Sequence, residues 1–168
     1  MIDHPRPDEQ EKLVMLAQAT GFFNPEEVRI VGEMLADFFA FVEEAGEDQA
    51  GEAEYLWWVY REMPGSPPLG FICYGPVSLS EDVYDLYWIA VDSTRRSGGI
   101  GSRLLQFAEQ DLKKRNARQF YIETSDTEQY FPTRAFYERR GYTQAAHFPD
   151  YYHVGDGKVV YRKVFREE

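Results

Sequence analysis

The stretch that most constrains the fold runs from Val83 to Leu105, where a strand pattern passes through a glycine-rich turn into a helix pattern. Residues 83–91 are rich in β-branched and aromatic side chains, and the turn formers Asp92-Ser93-Thr94 then interrupt them. Apolar side chains recur at helical spacing after the turn, at Ile100, Leu104, Phe107, Ala108 and Leu112. The sequence therefore predicts a strand, a turn and a helix in direct succession.

The turn has the composition of an anion site. Residues 96–101 read Arg-Ser-Gly-Gly-Ile-Gly and lead directly into the helix. The first N–H groups of a helix are unpaired and lie at the positive end of its dipole, and glycine lets a ligand approach the backbone closely. The turn has neither the three glycines of G-x-G-x-x-G nor the Gly-Lys-Ser/Thr of a triphosphate loop. An anion site of another kind is expected.

Composition excludes several classes of protein. The 168 residues are 43% hydrophobic, which predicts one packed domain over residues 1–168. Lys and Arg number 18 against 29 Asp and Glu, a formal charge of −11, which disfavours nucleic acid as a partner. Cys73 is the single cysteine, and no apolar run resembles a signal peptide or a membrane span. We expect a cytoplasmic protein without a membrane partner.

The remaining patterns predict alternating helices and strands. Helices are expected over Glu9–Ala19, from the cap Asn24 to about Ala45, and over Thr133–Arg140. Further strands are expected at 55–61, 69–74, 119–124, 142–146 and 159–164, with only a short strand in the first dozen residues. Residues 43–54 read as a solvated acidic loop. This order predicts an α/β (α+β) fold, a mixed central sheet with helices on its faces.

Two motifs together resemble the GNAT superfamily of acetyl-CoA-dependent N-acetyltransferases. Residues 96–101, Arg-x-x-Gly-x-Gly, follow the strand end Ile89-Ala90-Val91 and resemble the family's pyrophosphate signature Q/R-x-x-G-x-G/A. Residues 136–142, FYERRGY, resemble the second signature, F-Y-E-x-x-G-F. The motifs and the element order match over residues 8–165. The resemblance implies a GNAT-like three-layer fold, acetyl-CoA as cosubstrate, and direct attack on it by a primary amine.

The resemblance also implies a cofactor site without a metal. The strand end would splay from the neighbouring strand, and its backbone at Ile89, Ala90 and Val91 would bind the pantetheine arm. The Ile89 N–H would donate a hydrogen bond to the thioester carbonyl oxygen. The pyrophosphate would lie on the turn, at Arg96, Ser97, Gly98, Gly99, Ile100, Gly101 and Ser102. Ser97 also reads as an ordinary turn residue. Tyr130 stands where many relatives carry an asparagine that contacts CoA, and this departure, with Pro132 nearby, leaves that side-chain contact open.

Three residues are candidates for catalysis. Tyr137 matches the family's tyrosine that protonates the departing thiolate, and it also reads as a buried helix tyrosine. An attacking amine must be neutral, whereas an ammonium with a pKa of ~10.4 rarely is near neutral pH, so a carboxylate base would help. Asp85 and Glu123 stand where two branches of the family carry a glutamate. Either also reads as a strand-end residue paired with arginine, and Asp85 is favoured by a small margin.

The acceptor side is less defined. In the family, the region of residues 147–153 and the first two helices line it, and we interpret 147–153 as a loop before the last strand. Asp150, Tyr151 and Tyr152 would hold a cationic amine by charge and cation–π contact, or the loop only packs its aromatic rings on the sheet.

Two other functions are alternatives to acetyl transfer. A CoA-binding regulatory or interaction module would keep the fold without turnover. An unrelated glycine-loop nucleotide binder is disfavoured by the missing lysine and glycines. The sequence leaves open whether the acceptor amine belongs to a small molecule or a protein, and also the oligomeric state, a homodimer included.

Overall fold

The structure is a computed structural model that describes residues 1–166. Over these residues the strands are β1 (Ile2–Asp3), β2 (Leu56–Tyr60), β3 (Gly70–Pro76), β4 (Val83–Val91), β5 (Gln119–Ser125), β6 (Thr143–His153) and β7 (Asp156–Val164). The α-helices are α1 (Gln10–Ala19), α2 (Pro25–Ala45), α3 (Ile100–Lys114) and α4 (Phe131–Arg139).

The strands form a mixed sheet in the order β1-β2-β3-β4-β5-β7-β6. β4 pairs with β5 in parallel, from Val83 opposite Gln119 to Leu86 opposite Ile122. The ladders β1–β2, β2–β3, β5–β7 and β6–β7 are antiparallel. The predicted α/β fold with a mixed central sheet is confirmed.

The chain divides into two compact units that interleave in sequence. The first unit comprises Met1–Gly75 and Tyr87–Leu112, and the second comprises Pro76–Leu86 and the chain from Lys113 onward. β4 contributes to both, and its ladder with β5 lies in the second unit. Because neither unit is a continuous segment, the prediction of one domain over residues 1–168 stays a prediction.

The core of the first unit lies where α1 and α2 pack on β2 and β3. Leu13, Leu35, Trp57 and Phe71 are all fully buried there. α2 begins as predicted, because Asn24 Oδ1 accepts a hydrogen bond from the Glu27 N–H and the Glu27 carboxylate accepts one from the Asn24 N–H, each at 2.8 Å. Such a cap contributes about 1 kcal/mol. The helix ends at Ala45, as expected.

Three local predictions are wrong, each for a physical reason. Residues 47–52, expected in a solvated loop, form 3₁₀ turns, because Ala50 and Ala53 are buried in the core. α4 begins at Phe131 rather than Thr133, because a proline is tolerated in a first helical turn. The segment 147–153 is part of β6 rather than a loop. β6 is the last strand in the sheet order, and proline is tolerated on such an edge.

Candidate functional site

The predicted strand, turn and helix are present in the first unit. Asp92 Oδ1 accepts hydrogen bonds from the Thr94 N–H at 2.8 Å and from the Thr94 hydroxyl at 2.6 Å, which turns the chain at the end of β4. Residues 93–98 form a 3₁₀ turn, and Gly99 has a left-handed φ of +73° before α3 begins. A residue with a side chain would be strained at Gly99, so this glycine is required by the turn.

The space around the turn is open. A Cβ added to Gly98 or Gly99 would meet no atom within 4 Å. One added to Gly101 would make an ordinary contact of 3.7 Å with Val91 Cγ2. Packing therefore does not explain the glycines at positions 98 and 101. Their effect is to leave the backbone at the start of α3 uncovered, which suits an anion that binds N–H groups.

Close packing below the turn fixes its position. A Cβ on Gly70 would lie 3.0 Å from the Ala90 carbonyl oxygen, 3.1 Å from Ile100 Cγ2 and 3.2 Å from Leu104 Cδ1. The Asp92 N–H donates to the Leu69 carbonyl oxygen at 2.8 Å. The absence of a side chain at Gly70 thus lets the first turn of α3 lie directly against β3 and the end of β4.

The end of β4 has a distinct environment. Ile89, Ala90 and Val91 come after the point at which the β4–β5 ladder ends, at Leu86. Ala90 is buried, whereas Ile89 and Val91 are half-buried.

The Arg96 side chain has partners in the first unit. Its guanidinium donates a hydrogen bond to the Thr20 carbonyl oxygen and lies 5.1 Å from the ring centroid of Phe22. The side chain therefore contacts the end of α1, and a pyrophosphate role for Arg96 stays a prediction. Ser97 lies in the exposed 3₁₀ turn, and Ser102 is in the first turn of α3.

Sequence reasoning passed over Arg103. It lies in the first turn of α3, donates a hydrogen bond to the Tyr60 hydroxyl at 2.7 Å and has its guanidinium 5.6 Å from the Tyr60 ring centroid. A basic residue is unfavourable at the positive end of a helix dipole, unless an anion is present. The positive charge of Arg103 at the start of a predicted helix was the feature of the sequence that could have identified it.

Tyr137 lies in the second unit, on α4. Its side chain is 3% exposed, and its ring centroid lies 5.4 Å from that of Phe136, 5.9 Å from Tyr142 and 6.1 Å from Tyr161. Burial raises the pKa of Tyr137, so the phenol stays protonated. Burial is the cause of this shift, and the hydroxyl remains a hydrogen-bond donor. Tyr130 precedes α4, and its side chain does not cap the helix.

The structure brings Asp85 and Glu123 to one face of the sheet in the second unit. Asp85 pairs with Tyr121, and Glu123 is two residues further along β5, so both side chains lie on the same face. Strand geometry puts their Cα atoms roughly 8 Å apart. Burial, and then the negative charge of Glu123, raise the pKa of Asp85, while Lys158 opposes this shift.

Lys158, on β7, is the residue of this face that sequence reasoning missed. Its Nζ lies 2.8 Å from the Glu123 carboxylate and 4.4 Å from the ring centroid of Tyr151. It is opposite Ser125 on one side and Phe148 on the other. No local motif marks this lysine, because the contact depends on the register of three strands.

The predicted acceptor residues lie in an irregular part of β6. The register passes from Phe148 opposite Lys158 to His153 opposite Asp156, so the intervening residues bulge. Asp150 has a φ of +54°, and its Oδ1 accepts a hydrogen bond from the Gly155 N–H at 2.7 Å. Its carboxylate therefore stabilises the hairpin turn, and the binding of an amine by Asp150 stays a prediction.

The two tyrosines of the bulge remain exposed. The ring centroids of Tyr151 and Tyr152 are 5.2 Å apart. Partial burial, and then the charge of Glu123, raise the pKa of Tyr152. Tyr151 does contact a cation, as expected of an acceptor-binding tyrosine, but that cation is Lys158.

An uncovered glycine turn between a strand and a helix is an arrangement that suits a phosphate-bearing ligand at the helix start. The sequence model of the Acetyltransferase (GNAT) family matches residues 19–142. A crystal structure described as that of an acetyltransferase of the GNAT family, from Desulfovibrio desulfuricans, is 31% identical, with a TM-score of 0.84 over 98% of each chain. The chain belongs to the GNAT acetyltransferase family.

More distant structures share the fold. An aminoglycoside 6'-N-acetyltransferase complexed with coenzyme A is 18% identical, with a TM-score of 0.73 over 100% of this chain and 98% of the other. The ribosomal-protein-S18-alanine N-acetyltransferase from Escherichia coli is 19% identical, with a TM-score of 0.72 over 100% and 95%. No curated protein sequence matches the chain significantly.

Two kinds of feature are absent from the described residues. No helix within residues 1–166 has the length and hydropathy to cross a bilayer. The same residues contain no group of three or more His, Cys, Asp or Glu side chains arranged to hold a metal ion.

Proposed function

We propose that the protein is an N-acetyltransferase that moves the acetyl group of acetyl-CoA to a primary amine by direct attack. The observation that carries this proposal is the uncovered backbone at Gly98, Gly99 and Gly101, where a pyrophosphate would accept hydrogen bonds from the N–H groups that begin α3. Membership of the GNAT family supports acetyl transfer. We place the reaction in the cytoplasm, since Cys73 is a buried free thiol.

Besides binding, the reaction needs a donor to the carbonyl oxygen, a base for the amine and a proton for the departing thiolate. The neutral amine attacks the thioester carbonyl carbon, the carbonyl oxygen becomes negative, and the carbon–sulfur bond then breaks. In the proposal, the Ile89 N–H donates to that oxygen and the backbone of Ile89, Ala90 and Val91 holds the pantetheine arm. The attacking nitrogen loses a proton to a carboxylate, and the departing thiolate takes one up.

Asp85 is the proposed base. Its raised pKa makes it a better proton acceptor near neutral pH than an ordinary aspartate, because base strength follows pKa. Glu123 is less suited, because its carboxylate is bound to Lys158 at 2.8 Å and must give up that ion pair to accept a proton. The proton reaches Asp85 directly or through a bridging water.

Tyr137 is the proposed hydrogen-bond donor to the departing sulfur. Its hydroxyl supplies the donor, and its raised pKa keeps the proton on the phenol until the thiolate forms. Complete transfer would leave a phenolate in a buried place, which is costly. We therefore propose that Tyr137 stabilises the thiolate by a hydrogen bond. The thiolate of CoA then takes up its proton from solvent as the product leaves.

The experiment that tests the proposal is a thiol-release assay with a panel of primary amines and several acyl-CoA donors. Turnover with at least one amine, together with calorimetric binding of CoA, is the expected result. CoA binding without release of thiol for any amine, including protein amino termini and lysine peptides, would favour the non-catalytic CoA-binding module. Absence of CoA binding would contradict both functions.

A further inference from the structure

The ammonium of Lys158 occupies a small site of defined chemistry. The Glu123 carboxylate lies 2.8 Å from Nζ, and the ring centroid of Tyr151 lies 4.4 Å from it. A carboxylate opposite an aromatic face is an arrangement that recognises an organic ammonium ion, since it combines a charge-assisted hydrogen bond with a cation–π contact. The chain's own lysine thus shows what this site binds.

The fold builds the site from three strands. Glu123 and Lys158 come from the neighbouring strands β5 and β7. Tyr151 is brought to Lys158 by the bulge in β6, because the regular pairing that starts with Phe148 opposite Lys158 would place Tyr151 opposite Gly155, with its side chain on the other face of the sheet. The hydrogen bond from the Gly155 N–H to Asp150 stabilises the bulged conformation.

A ligand can reach this site and compete with the lysine. The side chains of Glu123 and Tyr151 are 50% and 57% exposed, respectively, so solvent and solutes reach both recognition groups. The Lys158 side chain is 13% exposed, so its own contact is partly desolvated, but its flexible stem lets it move away when a ligand takes its place. Arg61 makes the opposite kind of contact: its side chain is fully buried and bonds two carboxylates, those of Asp3 and Glu9.

We propose that Glu123 and Tyr151 form a binding site for the ammonium group of an acceptor amine, and that Lys158 occupies it in the free protein as a tethered competitor. The ligand class is a primary alkylammonium ion. Its identity as the acceptor rests on the proposed function, whereas the site itself does not. An amine that enters must displace Lys158, so Lys158 sets a threshold of affinity that weakly binding amines fail to pass.

The test uses the whole protein without CoA and n-butylammonium chloride as the probe. Binding is measured by NMR titration of wild type, Lys158→Met, the double variant Lys158→Met/Glu123→Gln, and Lys163→Met. Lys163 is the matched control, because it is on the same strand, with its Nζ 5.1 Å from the ring centroid of Tyr142 and donating to the Arg140 carbonyl oxygen.

Removal of the competitor should tighten binding of the probe in Lys158→Met by roughly tenfold, the scale of one cation–π contact with a partly desolvated cation. The added Glu123→Gln change should cancel this gain, and Lys163→Met should bind as wild type does. Equal affinity in wild type and Lys158→Met, or a gain that survives Glu123→Gln, would overturn the proposal.

A second measurement needs no variant. Saturation of the wild-type protein with n-butylammonium should move the ε-methylene NMR signal of Lys158 toward the position of a solvated lysine, since the side chain is displaced. An unmoved signal at saturation would overturn the proposal even if Lys158→Met fails to fold. Because neither measurement involves CoA or turnover, a failed thiol-release assay with a positive displacement result would contradict the acetyltransferase proposal alone.

Discussion

The glycine turn of the first unit and the charged face of the second unit present ligand groups in opposite ways. At Gly98 and Gly99 the chain offers backbone with open space around it, and one local run of sequence determines the geometry. At Glu123, Lys158 and Tyr151 it offers side chains from three strands, already bound to one another. A phosphate needs only N–H groups, whereas recognition of an amine needs placed charge and rings. The anion site is therefore determined by neighbouring residues of the sequence, whereas the charged face depends on the register between strands.

The change expected to have the largest effect is Gly101→Glu, which acts on the turn alone. The glutamate carboxylate would take the space of the pyrophosphate and repel it, and a like-charge contact costs several kcal/mol. CoA affinity should fall by roughly a hundredfold or more, measured by calorimetry. Ala145→Glu is the matched control, since it adds the same charge at an exposed position of β6 and should leave affinity unchanged. Unaltered CoA binding in Gly101→Glu would remove the turn as the site.

Tyr137→Phe should have the next largest effect. The change keeps the buried ring and removes only the hydroxyl, so stability and CoA affinity should change little. Loss of a group that donates a proton or hydrogen bond in the transition state typically lowers kcat by ~10²- to 10⁴-fold, and a thiolate leaving group places the expected value at the lower end. The measurement is steady-state thiol release, with Tyr142→Phe as a control on a neighbouring ring. Wild-type turnover in Tyr137→Phe would exclude the role.

Asp85→Asn tests the charged face through its pH dependence. A base acts when ionised, and burial and Glu123 raise the pKa of Asp85, so wild-type kcat/KM should rise as pH passes upward through that pKa. In Asp85→Asn the loss should be largest between that pKa and the pKa of the amine, on the order of 10²-fold, and should shrink as the amine ionises without help. Below the pKa of Asp85 the two proteins should converge, since the wild-type base is then protonated. A steeper profile in Glu123→Gln would move the role to Glu123.

Lys158→Met should have the smallest effect, a shift in the pH dependence of kcat/KM. The positive charge of Lys158 lowers the pKa of Asp85, so Lys158→Met should raise this pKa and move the acid limb of kcat/KM to higher pH. Lys158→Arg keeps the charge and should restore the wild-type position of the limb. A loss of activity that is equal at every pH in Lys158→Met would mean that the lysine acts only by supporting the strands.

The two regions also differ in how far the sequence predicted them. The turn and the cap at Asn24 were predicted because each depends on a few neighbouring residues. The length of β6 was not, because Pro149 and Asp150 are turn formers that an edge strand tolerates in a bulge. The Lys158 contact was missed because it depends on which residues of three strands lie opposite one another.

The bulge of β6 has a second consequence, for the behaviour of the protein at high concentration. β6 is the last strand in the sheet order, and a straight, apolar strand there would present a continuous row of hydrogen-bonding groups to which another chain could add. Pro149 lacks an N–H group, Asp150 adds a charge, and the irregular register breaks the row between Phe148 and His153. The same residues that bring Tyr151 over Lys158 therefore also protect the open edge of the sheet against aggregation.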